Sequence, residues 1–230
     1  MTGGSTAAER TRPGKAVTLA HLSSRTVGWI KAVLFVLALA PLTRLVVGLF
    51  LRALGTNPTE VIQRSLGTWT LVFLCITLAV TPLRKLSGWN WLLRLRRMFG
   101  LYAFFYAVMH FTSYVGLDQG FDLTAIPRDI VKRPFIMLGF TCLMLMIPLA
   151  ATSTHAMVRR LGAERWRALH RFVYFIAIGG VVHFWWLVKR DVTQPAIYAL
   201  VVAALLGYRL LAVLRRGRGA PGVRSPRVLP

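Results

Sequence analysis

Acidic side chains are scarce in this chain of 230 residues: seven Asp and Glu stand against 29 Lys and Arg, for a formal net charge of +22. Cysteine is scarcer. Cys75 and Cys142 both lie within apolar runs and form no CxxC pair, which excludes a disulfide framework and a cysteine-held zinc or iron–sulfur site. They read as free buried thiols. No polar stretch is long enough for a nucleotide-binding domain. A stand-alone ferric reductase or oxidase-like enzyme needs such a domain, so that reading is a lesser alternative. A small transporter with functional histidines is another. It predicts an internal repeat, and no clear repeat is visible.

Apolar residues are abundant instead. They make up 56% of the sequence, with mean hydropathy +0.58, against ~45–50% apolar residues in a soluble domain. The excess is gathered into six runs: 29 to about 51, 66–83, 99–117, 135 to about 151, 172–188 and 196–214. Each approaches the ~20 residues with which a helix crosses a bilayer. The expected fold is all-α: a polytopic membrane protein with a six-helix bundle over 28–214, between basic disordered tails at 1–27 and 215–230. Ala38-Leu39-Ala40 resembles a signal-peptidase site, but the apolar run continues well past it. The first run is therefore expected to stay as an anchor, kinked at Pro41. Thr81-Pro82 is expected to stop the second run, and 84–97, with Trp89 and Trp91, reads as a basic interfacial segment.

Loop charges give an orientation. With the N-terminus inside, the inner segments carry nineteen basic residues against Glu9 and Glu164, and the outer loops seven against five acids. Both termini are expected in the cytoplasm. The same pattern sets nucleic acid aside as a partner and leaves membrane lipid. The arginines gather at the ends of apolar runs and do not interleave with aromatics on a polar surface.

Five histidines remain to be placed. His21 falls in the expected tail and His155 in a loop. His110, His170 and His183 fall on expected spans, where an ionisable residue is a functional candidate by default. Spans three and five run in the same direction, so His110 and His183 lie at similar height in the outer half of the membrane. One imidazole from each of two helices can hold a haem iron from both sides, and these two are the expected axial pair. His170 sits about 20 Å away, at the cytoplasmic end of the fifth span. Its counterpart on span three is Arg96 or Arg97, a poor iron ligand but a candidate contact for a haem propionate or a flavin phosphate. The bland alternative is that the histidines hydrogen-bond between helices. Tyr102, Phe104, Phe105, Tyr106 and Phe111 suit either a macrocycle wall or ordinary core.

Several segments together carry a resemblance: Leu66-Gly-Thr-Trp-Thr-Leu, Thr77-Leu-Ala-Val-Thr-Pro-Leu-Arg84, Leu95-Arg-Arg-Met-Phe-Gly-Leu-Tyr-Ala-Phe-Phe-Tyr-Ala-Val-Met-His110-Phe, Lys132-Arg-Pro-Phe, Leu149-Ala-Ala-Thr-Ser-Thr, Arg165-Trp-Arg-Ala-Leu-His170-Arg and His183-Phe-Trp-Trp-Leu-Val-Lys189. In order and spacing they resemble the MsrQ family (formerly YedZ), within the ferric-reductase-like transmembrane group. The resemblance implies a bacterial inner-membrane subunit that binds haem b, with FMN also attributed to the family. It implies electrons drawn from the quinone pool or a cytoplasmic flavin reductase. They would pass to a periplasmic molybdopterin subunit that reduces methionine sulfoxide in oxidised proteins. The family's haem-associated histidines fall on His110, His170 and His183. Where related oxidases carry a fourth histidine, this chain has Arg96 or Arg97.

Overall fold

The computed structural model describes residues 22–188 and 191–218. Most of both expected tails lies outside them, as do Lys189 and Arg190. Among the described residues every regular element is helical: α1 (Ser24–Phe50), α2 (Pro58–Ser87), α3 (Leu93–Ser113), α4 (Ala125–Lys132), α5 (Pro134–Ala151), α6 (His155–Leu161), α7 (Ala163–His170), α8 (Phe172–Leu187) and α9 (Thr193–Arg218). Six stretches are long and apolar enough to cross a membrane. They are α1, α2, α3 with its flanking turns, α5, α7 joined to α8, and α9 as far as Arg215. The chain is a multi-pass membrane protein, because only closed helical hydrogen bonding satisfies the backbone in hydrocarbon without forming a barrel.

Helix boundaries differ from the apolar runs where polar chemistry sets them. Ser23 caps α1, its Oγ accepting from the Thr26 N–H at 3.1 Å, so the helix begins inside the expected tail. Asn57 caps α2 in the same way, accepting from the Glu60 N–H at 3.2 Å, with Pro58 in the first turn. Proline suits that position because its missing N–H would have no helical partner there. The first two turns of α2 are polar, so hydropathy misses them.

Pro82 does not stop α2. The helix continues to Ser87 and ends at Gly88, whose φ of 75° closes it in the left-handed region. Proline at 82 removes the N–H that would bond the Leu78 carbonyl. Arg209 of α9 supplies the missing donor through Nη2, while its Nη1 donates to Leu205 O at 3.0 Å. The expected interfacial segment shrinks accordingly: Arg84 and Lys85 lie on the last turn of α2, and Arg94, Arg96 and Arg97 open α3 after a 3₁₀ turn at Asn90–Leu92.

The two long loops are also partly helical. The segment 118–133 holds α4, entered from a π-helical turn at Tyr114–Asp118. The segment 152–168 holds α6 and most of α7. The fifth span is not one unbroken helix, because it steps at Arg171, whose N–H turns back to Ala168 O.

α2 is the central helix, with half of its apolar stretch buried, against 11% for α1 and 6% for α9. Phe73 of α2 stacks on Tyr102 and Tyr106 of α3, with ring centroids 5.4 and 5.3 Å apart. The two tyrosine hydroxyls then donate at 2.7 Å to the carbonyls of Phe35 and Ala38 on α1. These contacts pair 102 with 35 and 106 with 38, so α1 and α3 run parallel. Outward-facing Val36 and Leu200 give the peripheral helices the apolar surface that lipid requires.

Two further contacts fix the levels. Gln63, early in α2, meets His110, late in α3. Phe135, first in α5 after Pro134, meets His183, late in α8. Both histidines therefore lie toward the same end of the bundle. Arg84, Arg96, Arg209 and His170 lie toward the other.

Candidate cofactor site

Four helices wall a cavity of about 370 Å³, within the range typical of ligand and cofactor pockets. α2 contributes Gly67 and Leu71, α3 His110 and Phe111, α5 Gly139 and Leu143, and α8 Ile176 and His183. No residue of α1 or α9 lines it.

The structure brings His110 and His183 together. Their ring centroids are 6.3 Å apart, with planes at 76°. Each ring is held at Nδ1 by a backbone carbonyl, His110 by Gln63 O at 3.0 Å and His183 by Phe135 O at 2.6 Å. A carbonyl can only accept, so Nδ1 carries the proton and Nε2 keeps its lone pair. This is the arrangement by which an outer hydrogen bond fixes the tautomer of a metal-binding histidine and raises its basicity.

Each ring also rests on a glycine. A Cβ on Gly67 would lie 3.3 Å from His110 Cε1, and one on Gly139 would lie 2.8 Å from both Cε1 and Nδ1 of His183. In both cases the glycine stands four positions after the residue whose carbonyl holds the ring. The two half-sites are thus built alike: carbonyl 63, Gly67 and His110 in one, carbonyl 135, Gly139 and His183 in the other. Leu66-Gly67 with His110-Phe111 and Leu138-Gly139 with His183-Phe184 repeat the same dipeptides. That short internal repeat is the signal sequence reading missed, along with the two carbonyls and the two glycines.

The residues fit a haem. A ring-centre separation of 6.3 Å leaves room for one metal ion between the two imidazoles. Among the described residues no cluster of three His, Cys, Asp or Glu exists that could hold a bare ion. Two histidines alone suit an iron whose other ligands come from a macrocycle.

His170 is not part of this cavity. Its Nδ1 donates to Trp166 O at 3.0 Å, and its ring stacks on the Trp166 indole at 3.9 Å. Its Nε2 is buried without a partner, as is Nε of Arg84. Of the two candidate arginines, Arg96 is half-buried and within electrostatic reach of both His170 and Arg209, whereas Arg97 is exposed. Among the described residues none of Arg84, Arg96 and Arg209 forms an ion pair with an acid.

Of the five aromatics near His110, only Phe111 lines the cavity. Tyr102 and Tyr106 serve the α1–α2–α3 core, and Phe105 packs edge-on against both.

Comparison with known proteins agrees with this architecture. The family model for the ferric reductase like transmembrane component matches residues 65–181, a stretch holding all three candidate histidines except His183, which falls just beyond it. The protein-methionine-sulfoxide reductase heme-binding subunit MsrQ of Azospira oryzae is 56% identical over 203 residues, covering 88% of this chain and 87% of that one. The subunit of the same name from Herminiimonas arsenicoxydans is 53% identical over 192 residues, covering 83% and 88%. That from Rhodospirillum rubrum is 53% identical over 165 residues, covering 72% and 79%. With likeness of this degree along most of both chains, and the transmembrane core matched as well, the chain belongs to the MsrQ family.

Proposed function

We propose that this chain is the haem-binding membrane subunit of a protein-methionine-sulfoxide reductase system, carrying electrons to a catalytic partner. The observation that carries the reading is the His110–His183 pair, with each Nδ1 anchored on a backbone carbonyl and each ring seated on a glycine. The relatives' names supply the system.

In this reading His110 and His183 would hold the haem iron. Haem b, when bound, supplies an iron that takes up and releases one electron at a time. The chain's own residues do the rest. Gln63 O and Phe135 O hold the imidazoles in one tautomer, with each Nε2 lone pair left for a metal. Leu74, Leu143, Met146 and Ile176 keep water from the deep wall of the cavity. Substrate chemistry belongs to the catalytic partner in this reading.

Orientation follows from loop charge. With the arginine-rich end in the cytoplasm, the histidine cavity lies toward the periplasm, where a molybdopterin-containing catalytic subunit would take electrons. The segment 118–133 is the docking surface in this reading. Asp129 is tied to Arg133, and Asp118, Asp122, Arg128 and Lys132 are exposed for a partner. Neutralising Asp118 and Asp122 should slow electron transfer to the partner; an unchanged rate rules the surface out.

The arginine-rich end is where electrons enter, from the quinone pool or a cytoplasmic flavin reductase. His170, with Arg96 beside it, would face an anionic cofactor there, either a second haem or FMN. Unpaired nitrogens on His170 and Arg84 support this.

The test is an absorption spectrum of the detergent-purified chain, oxidised and dithionite-reduced, with haem quantified per chain. Sharp low-spin b-type bands on reduction are expected. About one haem per chain assigns it to the His110–His183 pair, and about two bring in His170. A colourless chain that takes up no added haem refutes the proposal.

A further inference from the structure

The cavity is amphiphilic along one axis. Its deep wall is aliphatic, but its mouth is polar, with Gln63, Arg64 and Arg133 among the lining residues. Gln63 has two jobs there. Its backbone carbonyl holds His110. Its side-chain Nε2 is buried with no hydrogen-bond partner, a state that folded proteins avoid unless something else fills it.

The two arginines are held in place by acids without being used up. Arg64 meets Glu60 through Nε at 2.8 Å, one turn back on α2. Arg133 meets one oxygen of Asp129 through Nε at 2.7 Å and Nη2 at 2.6 Å. A guanidinium has five N–H donors, so each arginine keeps donors to spare.

Haem has the same polarity: two carboxylates on one edge and alkyl groups on the others. We infer that Gln63, Arg64 and Arg133 form the carboxylate clamp of this cavity, so that haem seats with its propionates at the mouth and its alkyl edge against Leu74, Leu143 and Ile176. The inference rests on the reading that the cavity holds haem. Glu60 and Asp118 also line the mouth. Glu60 is neutralised by Arg64 and also accepts from Asn57 Nδ2 at 3.1 Å. With Arg64 paired to Glu60 and Arg133 to Asp129, Asp118 has no arginine partner among the described residues, so losing either arginine adds a second unbalanced acid near the propionates.

The experiment compares two probes on the full chain purified haem-free in detergent: ferric haem b, and the same haem with both propionates methyl-esterified. Affinity is read by absorption titration, with no partner or turnover needed. The free acid should bind roughly tenfold or more tightly than the ester, the scale of a charge-assisted hydrogen bond. Gln63→Leu and Arg64→Leu should each narrow that ratio while keeping the low-spin spectrum, since the Gln63 carbonyl that holds His110 remains. Equal affinity for acid and ester in the unaltered chain overturns the clamp and leaves the haem reading standing. A ratio that survives both substitutions overturns the assignment to these residues. If neither probe binds, the haem reading falls and the clamp with it.

Discussion

Arg209 donates through Nη2 to the carbonyl of Leu78, the carbonyl that Pro82 leaves without a helical donor four residues on. A charged side chain on the last helix thus repairs a backbone fault in the central one, 131 residues earlier. Its guanidinium also lies 5.6 Å from the ring centre of Tyr174 on α8, so one residue joins α2, α8 and α9. Arg209→Leu should destabilise the bundle by about 1–3 kcal/mol, the cost of leaving a buried acceptor unmet. Thermal unfolding in detergent measures this. Pairing it with Pro82→Ala, which restores the N–H, should recover most of the loss.

Gly67→Ala and Gly139→Ala test the seats of the two rings. Each added methyl would strike an imidazole, at 3.3 Å for Gly67 and at 2.8 Å for Gly139. Gly139→Ala should therefore cost low-spin haem more severely than Gly67→Ala. The reduced spectrum per chain checks the ranking, and the reverse order would show that the rings sit elsewhere when haem is bound.

His110→Ala and His183→Ala should each abolish the low-spin signal, whereas His170→Ala should have a smaller or different effect. The first two share a cavity, and the third is stacked on Trp166 outside it. Equal loss in all three variants would refute the pairing.

A pH dependence is expected at the mouth of the cavity. Burial raises the Asp129 carboxyl, but hydrogen bonds from Tyr114 and Arg133, with the charges of Arg133 and Lys132, outweigh it and hold the group below the usual range. A carboxyl lowered in the folded state stabilises above its unfolded value of ~3.9 and loses that contribution as pH falls through the folded value. The segment 114–133 should stay closed at neutral pH and loosen only in acid below about pH 4. Limited proteolysis of this segment against pH reads the transition. Asp129→Asn, which cannot ionise, should remove the acid step and leave the segment easier to cut at neutral pH.

Much of this architecture was legible in the sequence because lipid imposes simple rules. Six apolar runs became six spans, and alternation of direction placed His110 and His183 at one level before any contact was known. What escaped was whatever lacks an apolar or ionic signature. The first turns of α2 are polar and are announced only by Asn57-Pro58. A proline reads as a stop unless the donor that replaces its N–H is known, and Arg209 lies too far along the chain to suggest itself. The carbonyls of Gln63 and Phe135 are backbone groups that any residue would supply. Gly67 and Gly139 look like ordinary small residues until the rings above them are seen.

The repeated half-site has a consequence for how the cavity is filled. His110, its carbonyl and its glycine all belong to the α2–α3 hairpin. The matching group around His183 belongs to α5 and α8. Neither half-site borrows its carbonyl or its glycine from the other, so the cavity is the seam between two matching half-sites. A guest in that seam meets one carbonyl-held imidazole from each side.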